Sequence, residues 1–275
     1  MLKKIINDSI IYFSAKWQLS NLKHLARSPF TNNHVILAYS AHYATDVILK
    51  ISPSDDITNE QKALHYFNGI GCVRLLDYDI KYGGLLLEYI KPGKMLKELF
   101  PRKEVISVEI LAQVIKKLHH HQNFSVNLQE FPTINSWLEL LGTYDGGKVP
   151  QQLLHKAKKI ADNLLLTQGK LYLLHGDLHH ENILQQRSSW IAIDPKGVVG
   201  ELEYEMGAFI RNPVPDLLET HNAQNIIMHR IEYLSKSFGF EQQRLIDWCF
   251  VQGVLVACWS ESNYYSEFVR IIEKL

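Results

Sequence analysis

The chain has 275 residues, 46% hydrophobic and 21% charged, a mix that buries a core and excludes a disordered protein. Its 29 basic and 29 acidic side chains cancel, which removes the electrostatic case for a nucleic-acid partner. The most apolar uncharged stretch, residues 248–260, is too short to span a bilayer, and three cysteines without zinc spacing suit a reducing compartment, so the expectation is a cytoplasmic protein with no membrane partner.

Residues 2–17 place Leu2, Ile5, Ile6, Ile10, Phe13 and Trp17 on one helical face. Asn7 and Asp8 interrupt any signal-peptide core there. Residues 22–26 offer a first strand; 35–39 and 47–51, rich in β-branched and aromatic residues, are better ones. Ser54 offers a helix N-cap with Asp55 and Asp56 at the positive dipole end, and Thr58 with Gln61 is a competing capping box. Either start gives a helix that carries Glu60 and Leu64 and stops near Gly69. Residues 73–80 and 84–90 read as a hairpin joined through 81–83.

Pro92 and Gly93 then punctuate the chain, and beyond them the pattern turns helical. Ile106, Ile110, Leu111, Val114, Ile115 and Leu118 repeat at helical spacing, and His119-His120-His121 ends that helix where a polar run suits the negative dipole end. Leu153, Leu154, Ala157, Ile160, Ala161 and Leu164 mark a second helix, stopped by Gly169. Two short apolar runs, 171–174 and 190–193, bracket a polar loop, and after 203 the chain is helical to its end. The class is α+β and the plan bilobal: a small β-rich N-terminal lobe, residues 1–90, and a larger helical lobe, residues 91–275.

The densest chemistry lies in His175-Gly176-Asp177-Leu178-His179-His180-Glu181-Asn182-Ile183-Leu184, and then in Ile193-Asp194-Pro195-Lys196-Gly197. Phosphoryl transfer needs a carboxylate to orient the attacking hydroxyl and oxygen ligands for Mg²⁺ on the phosphates. Asp177 can be the first, Asn182 a neutral metal ligand five residues on, and Asp194 the metal carboxylate. Lys50 stands in an apolar strand, where a charge needs a reason; Glu60 on the next helix can pair with it and aim it at phosphates. Glu88-Tyr89-Ile90 is placed to offer backbone groups to adenine. A rival reading makes His175, Asp177, His179 and His180 a metallohydrolase cluster, but it leaves Lys50, Glu60 and Asp194 unexplained.

The segment from His175 to Leu184 resembles the catalytic loop of the aminoglycoside phosphotransferase and choline kinase-like families, with Gly176 where eukaryotic protein kinases usually carry Arg. The run from Ile193 to Glu201, followed by Glu203-Tyr204-Glu205 and Arg211-Asn212-Pro213, is similar to a narrower branch, the aminoglycoside/hydroxyurea antibiotic resistance kinase family, which includes streptomycin 6-kinases. Val47 to Lys50, Glu60 with Ala63-Leu64, Val73 to Asp77 and Leu85 to Glu88 agree in order, so the resemblance covers residues 17–213. It implies a bilobal protein kinase-like fold, ATP and Mg²⁺ as cofactors, and transfer of the γ-phosphoryl group to a hydroxyl of a small molecule, an aminoglycoside such as streptomycin among the candidates. By matching position Asp177 would be the catalytic base and Asn182 and Asp194 the metal ligands. Lys50, held by Glu60, would touch the phosphates, Glu88 and Ile90 the nucleotide, and Lys196 a phosphate or substrate.

One departure concerns the loop 27–34, which contains no glycine for a phosphate cradle; Asn32 and Asn33 tolerate left-handed conformations and can substitute. It favours the alternative of a non-catalytic nucleotide- or ligand-binding protein of the same fold, against which the intact Asp177, Asn182 and Asp194 argue. Only eight residues run from Asp194 to Glu201, too few for the activation segment of a protein kinase. Residues 200–275 carry 6 basic and 11 acidic side chains, a net of −5, which reads either as a solvated face or as a site for a cation. On the second reading the acceptor is cationic or polyhydroxylated and Glu201 is its preferred contact.

Overall fold

The computed structural model describes residues 2–25, 33–52, 56–120, 127–260 and 264–275. Helix α1 (Leu2–Lys16) forms as its spacing predicts, and its Phe13 and the Trp17 that follows its last residue are buried and stacked on each other. Strands β1 (Leu19–His24), β2 (His34–Ser40) and β3 (Thr45–Ile51) follow, then helix α2 (Asp56–Phe67), then β4 (Leu75–Asp79) and β5 (Gly84–Glu88). The five strands form one antiparallel sheet in the order β1-β2-β3-β5-β4.

Alternation along β3 divides the work of this sheet. Val47, Leu49 and Ile51 face α1 and pack with Ile36, Ala38, Leu86, Phe13 and Trp17. Ile48 and Lys50 face the other way, toward α2 and the rest of the molecule. The first strand starts earlier than its composition suggests, because Leu19 is the buried residue and Leu22 is exposed. The fourth starts later: Val73 leaves the sheet and donates its N–H to the Ala192 carbonyl, in the helical lobe. Ser54 and Asp55, the expected cap, and most of the glycine-free loop, 26–32, lie outside the described residues.

Beyond the sheet the chain forms β6 (Pro92–Met95), α3 (Glu104–His120), α4 (Ile134–Leu138), α5 (Leu140–Thr143) and α6 (Gln151–Leu166). The segment that joins His175 to Gly197 is built on β7 (Leu171–Leu174), β8 (Ile183–Gln186), β9 (Ser189–Ala192) and β10 (Val198–Glu201). Helices α7 (Leu202–Ile210), α8 (Asp216–Glu219), α9 (Ala223–Phe238), α10 (Gln242–Trp259) and α11 (Tyr264–Ile272) complete the lobe. His121 is outside the described residues, so the histidine run is seen only to His120.

Two small sheets carry the loop. β7 pairs antiparallel with β10, and β8 pairs with both β9 and β6. The Pro-Gly segment is thus more than punctuation: it lies as a strand on the helical lobe. The apolar run 248–260 falls mostly in α10, whose Trp248, Val251, Val254 and Leu255 are buried in the main core. Among the described residues no helix is long and apolar enough to cross a membrane.

Candidate active site

The facing of Lys50 is set by strand parity, and its environment by α2. Its ammonium donates to both carboxylate oxygens of Glu60 at 2.7 Å and to Asp194 Oδ1 at 2.6 Å. Lys50 and Glu60 are only 5% and 6% exposed, so this strand lysine is turned into the molecule, not toward solvent. Burial alone would lower the Lys50 pKa, but the Glu60 and Asp194 charges outweigh it and hold it above the usual lysine range. Burial would likewise raise the Asp194 carboxyl, but Lys50 and Lys196 draw it down to about 2. The Lys196 ammonium stands 3.6 Å from the same Oδ1. Three residues from distant parts of the chain, and a fourth beside them, therefore meet at one point between the lobes.

Close approach there depends on Gly197. Its φ is +67°, and a Cβ on it would stand 2.9 Å from the Ala63 Cβ of α2. With glycine the Asp194 segment lies against α2, within reach of Glu60 and Lys50.

The loop after β7 is held by a buried carboxylate. Glu205 accepts from the His175 N–H at 2.6 Å and the Gly176 N–H at 2.9 Å. His175 is itself buried; its Nε2 lies 2.8 Å from the Ile193 carbonyl, and its own carbonyl accepts from the Lys196 N–H at 2.7 Å. This ties the loop to the Asp194 segment. Asn182 then turns back, its Nδ2 donating to the Asp177 carbonyl at 2.9 Å, which leaves its amide oxygen as an acceptor.

The Asp177 carboxylate is left partly exposed, with Arg211 Nη2 at 3.8 Å and His179 Nε2 at 3.7 Å. Arg211 is positioned from behind by Gln252, which accepts from Nη1 at 2.7 Å. The fully buried Arg230 donates to the carbonyls of Phe209, Ile210 and Asn212, fixing the backbone on both sides of Arg211. Its Nη2 also reaches His180 at 3.3 Å, and that histidine is stacked on Phe209 at 4.0 Å.

His175 and His180 are thus engaged in the interior, and among the described residues no three His, Cys, Asp or Glu side chains gather to hold a metal ion. Among the described residues the histidines of this loop therefore do not assemble the cluster that the hydrolase reading needs. Asn182 and Asp194 make a different donor set, one amide oxygen and one carboxylate. Both lysine contacts fall on Asp194 Oδ1, and hard oxygen donors of this kind fit Mg²⁺.

Glu201 is corrected by the structure. It is 1% exposed and saturated from inside: Arg244 Nε and Nη2 each donate at 2.8 Å, the Gly169 N–H donates at 3.1 Å, and Trp248 Nε1 donates as well. A carboxylate so enclosed serves packing, not an acceptor. Glu203 leans on the same Arg244, at 4.0 Å, and Glu205 holds the loop after β7. Glu201 and Glu205 are thus both engaged inside the protein, and the contact expected of Glu201 with a cationic acceptor is not available. Replacing Arg244 by Met strands the Glu201 charge and is expected to lower stability by about 3–5 kcal/mol; urea unfolding of the two proteins checks this.

In the sequence Glu205 and Arg211 enter only within the runs that carry the resemblance, and Arg230 not at all. A signal for Glu205 was present: it is the one charge in the otherwise uncharged run from Tyr204 to Ile210, the same cue that marked Lys50. Glu88 Oε1 accepts from the Arg74 N–H at 2.9 Å, and Ile90 is buried where the chain leaves the sheet.

The model of the aminoglycoside/hydroxyurea antibiotic resistance kinase family matches residues 17–263, fifty residues further than the 17–213 that the motifs alone support. A streptomycin 3''-kinase of Klebsiella pneumoniae is 27% identical over 218 residues, 77% of this chain and 79% of that protein. Among solved structures, a choline kinase from Streptococcus pneumoniae superposes with a TM-score of 0.68 at 12% identity, over 99% of this chain and 97% of that one. An aminoglycoside phosphotransferase in a ternary complex with ADP and hygromycin B gives 0.66 at 13%, over 96% and 97%. At these identities the structural likeness establishes the fold: an antiparallel sheet lobe and a helical lobe arranged as in small-molecule kinases.

Proposed function

The chain belongs to the aminoglycoside/hydroxyurea antibiotic resistance kinase family and is a small-molecule phosphotransferase, and from that premise we propose how its residues divide the work. ATP lies between the lobes, the nucleotide lobe being residues 1–90 and the acceptor lobe 91–275. Glu88 and Ile90 present backbone groups to the base. Lys50, held by Glu60, and Lys196 contact the phosphates. Asn182 and Asp194 hold Mg²⁺, which when bound neutralises phosphate charge. Asp177 takes the proton of an acceptor hydroxyl; the new O–P bond forms at the γ-phosphorus as its bond to the bridging oxygen breaks, and ADP leaves.

The observation that carries this reading is the meeting of Lys50, Glu60 and Asp194 within 2.7 Å, beside a loop whose backbone is locked by Glu205 with the Asp177 carboxylate left partly exposed. Support for a ring-bearing acceptor such as streptomycin comes from the streptomycin 3''-kinase relative. Support for ATP comes from the nucleotide in the ternary complex of the same fold. A cationic acceptor loses its preferred contact, since Glu201 is buried and held by Arg244 and Trp248.

Two measurements test this. Lys50→Met is expected to weaken ATP about 10- to 100-fold, the worth of one charge-assisted contact to phosphate; calorimetry showing unchanged affinity removes Lys50 from the nucleotide site. ADP release from Mg-ATP is expected to depend on an added acceptor. Tight ATP binding with no such dependence for any acceptor offered would favour the non-catalytic alternative.

A further inference from the structure

Phosphoryl transfer uses none of the aromatic residues near Asp177. Trp137, on α4, brings Cη2 to 3.1 Å from the position a Cβ on Gly176 would take, so its ring borders the residue before Asp177. Trp259, the last residue of α10, meets Trp137 edge to face at 6.4 Å. It is 55% exposed, whereas Trp248 and Phe250 of the same helix are buried. Tyr204 backs Trp137 at 6.3 Å and is held in turn by Trp248 at 5.1 Å. Tyr265, at the start of α11, is near enough to Arg211 and Asp177 to feel both charges.

Rings rather than carboxylates therefore border the backbone just before Asp177 and extend from there to the surface at Trp259. The side chains that do stand beside Asp177 are Arg211 and His179, and the Arg211 guanidinium opposes a compact cation at that point. An indole face carries negative quadrupole density. It is matched by the slightly positive C–H bonds on the face of a saturated ring, whose hydroxyls stay at the rim for hydrogen bonding. A half-exposed indole also presents one open face, which suits a flat ligand.

We propose that Trp259, backed by Trp137, is the platform on which a ring of the acceptor lies, and that it selects cyclic polyhydroxylated acceptors by delivering one rim hydroxyl to Asp177. This rests on the phosphotransferase reading and deepens it: Trp259 is a positioning residue for the acceptor, separate from the nucleotide.

The test measures phosphorylated product by mass with Mg-ATP and a set of probes. Streptomycin, hygromycin B and myo-inositol carry saturated rings; hydroxyurea and choline do not. Wild type is compared with Trp259→Ala and Trp259→Phe, and calorimetric ATP affinity reports that each variant is folded. The expected result is product from at least one ring-bearing probe. Its KM rises about tenfold or more in Trp259→Ala, with kcat changed far less, and returns most of the way in Trp259→Phe, as loss and recovery of one aromatic contact require. An equal KM in wild type and Trp259→Ala, no recovery in Trp259→Phe, or turnover confined to hydroxyurea and choline overturns the platform and leaves the phosphotransferase reading standing. No product from any probe with the wild-type protein counts instead against that underlying reading, and the platform falls with it.

Discussion

Asp177→Asn is expected to lower turnover by on the order of 10²–10⁴-fold, the usual contribution of a general base, while ATP affinity stays within about twofold of wild type. The split follows from what holds the residue. Its N–H faces His175 Nδ1 at 3.3 Å, its carbonyl accepts from Asn182, and the amide before it is fixed by Glu205. All of these are backbone contacts that asparagine keeps. The carboxylate is the part that changes, and it faces Arg211 and His179 rather than Lys50 and Asp194, the proposed nucleotide contacts. Steady-state kinetics and calorimetry on the two proteins decide it: a variant that turns over an identified acceptor at the wild-type rate removes Asp177 from the chemistry.

Asp194→Asn is expected to lower kcat/KM by at least about 100-fold, corresponding to several kcal/mol of charge stabilisation lost on the phosphates. Asp194 adopts a left-handed backbone, φ 62°, which asparagine tolerates, so the segment keeps its path. What is lost is the negative charge between Lys50 and Lys196. The Mg²⁺ concentration giving half-maximal rate should rise together with the loss of activity. A variant with wild-type Mg²⁺ dependence would move the metal-holding role to another residue.

Much of this arrangement was legible because chemistry and spacing coincided. Lys50 inside an apolar strand and Glu60 on the following helix predicted a pair, and the two side chains meet at 2.7 Å. The order Asp177, Asn182, Asp194 predicted one loop and one neighbouring segment, and the His175 carbonyl joins the two. What stayed hidden depends on contacts between residues far apart in the chain. Glu201 lies close to Asp194 in sequence, which suggested a shared site. In space β10 carries it away along β7, and Arg244 and Trp248 of α10 close over it. A charge balance of −5 over the last residues could not reveal that pairing, because composition counts side chains without saying which face they take. Val73 shows the same limit for the fold: its composition suits a strand, but its N–H is claimed by Ala192 across the lobes. The exposed Trp259 beside Trp137 was equally invisible, since the two lie on different helices.

The decisive measurement is direct detection of the phosphorylated acceptor. Wild-type protein and Asp177→Asn are incubated in parallel with Mg-ATP and a panel of aminoglycosides, cyclitols and amino alcohols, and every acceptor is weighed by mass spectrometry. The expected result is one acceptor class that gains a single phosphoryl group with wild type, in step with ADP formation, and gains it far more slowly with Asp177→Asn. ATP that binds tightly while no acceptor in the panel gains mass, or a product that forms equally fast with Asp177→Asn, would show that this cleft does not carry out the transfer proposed for it.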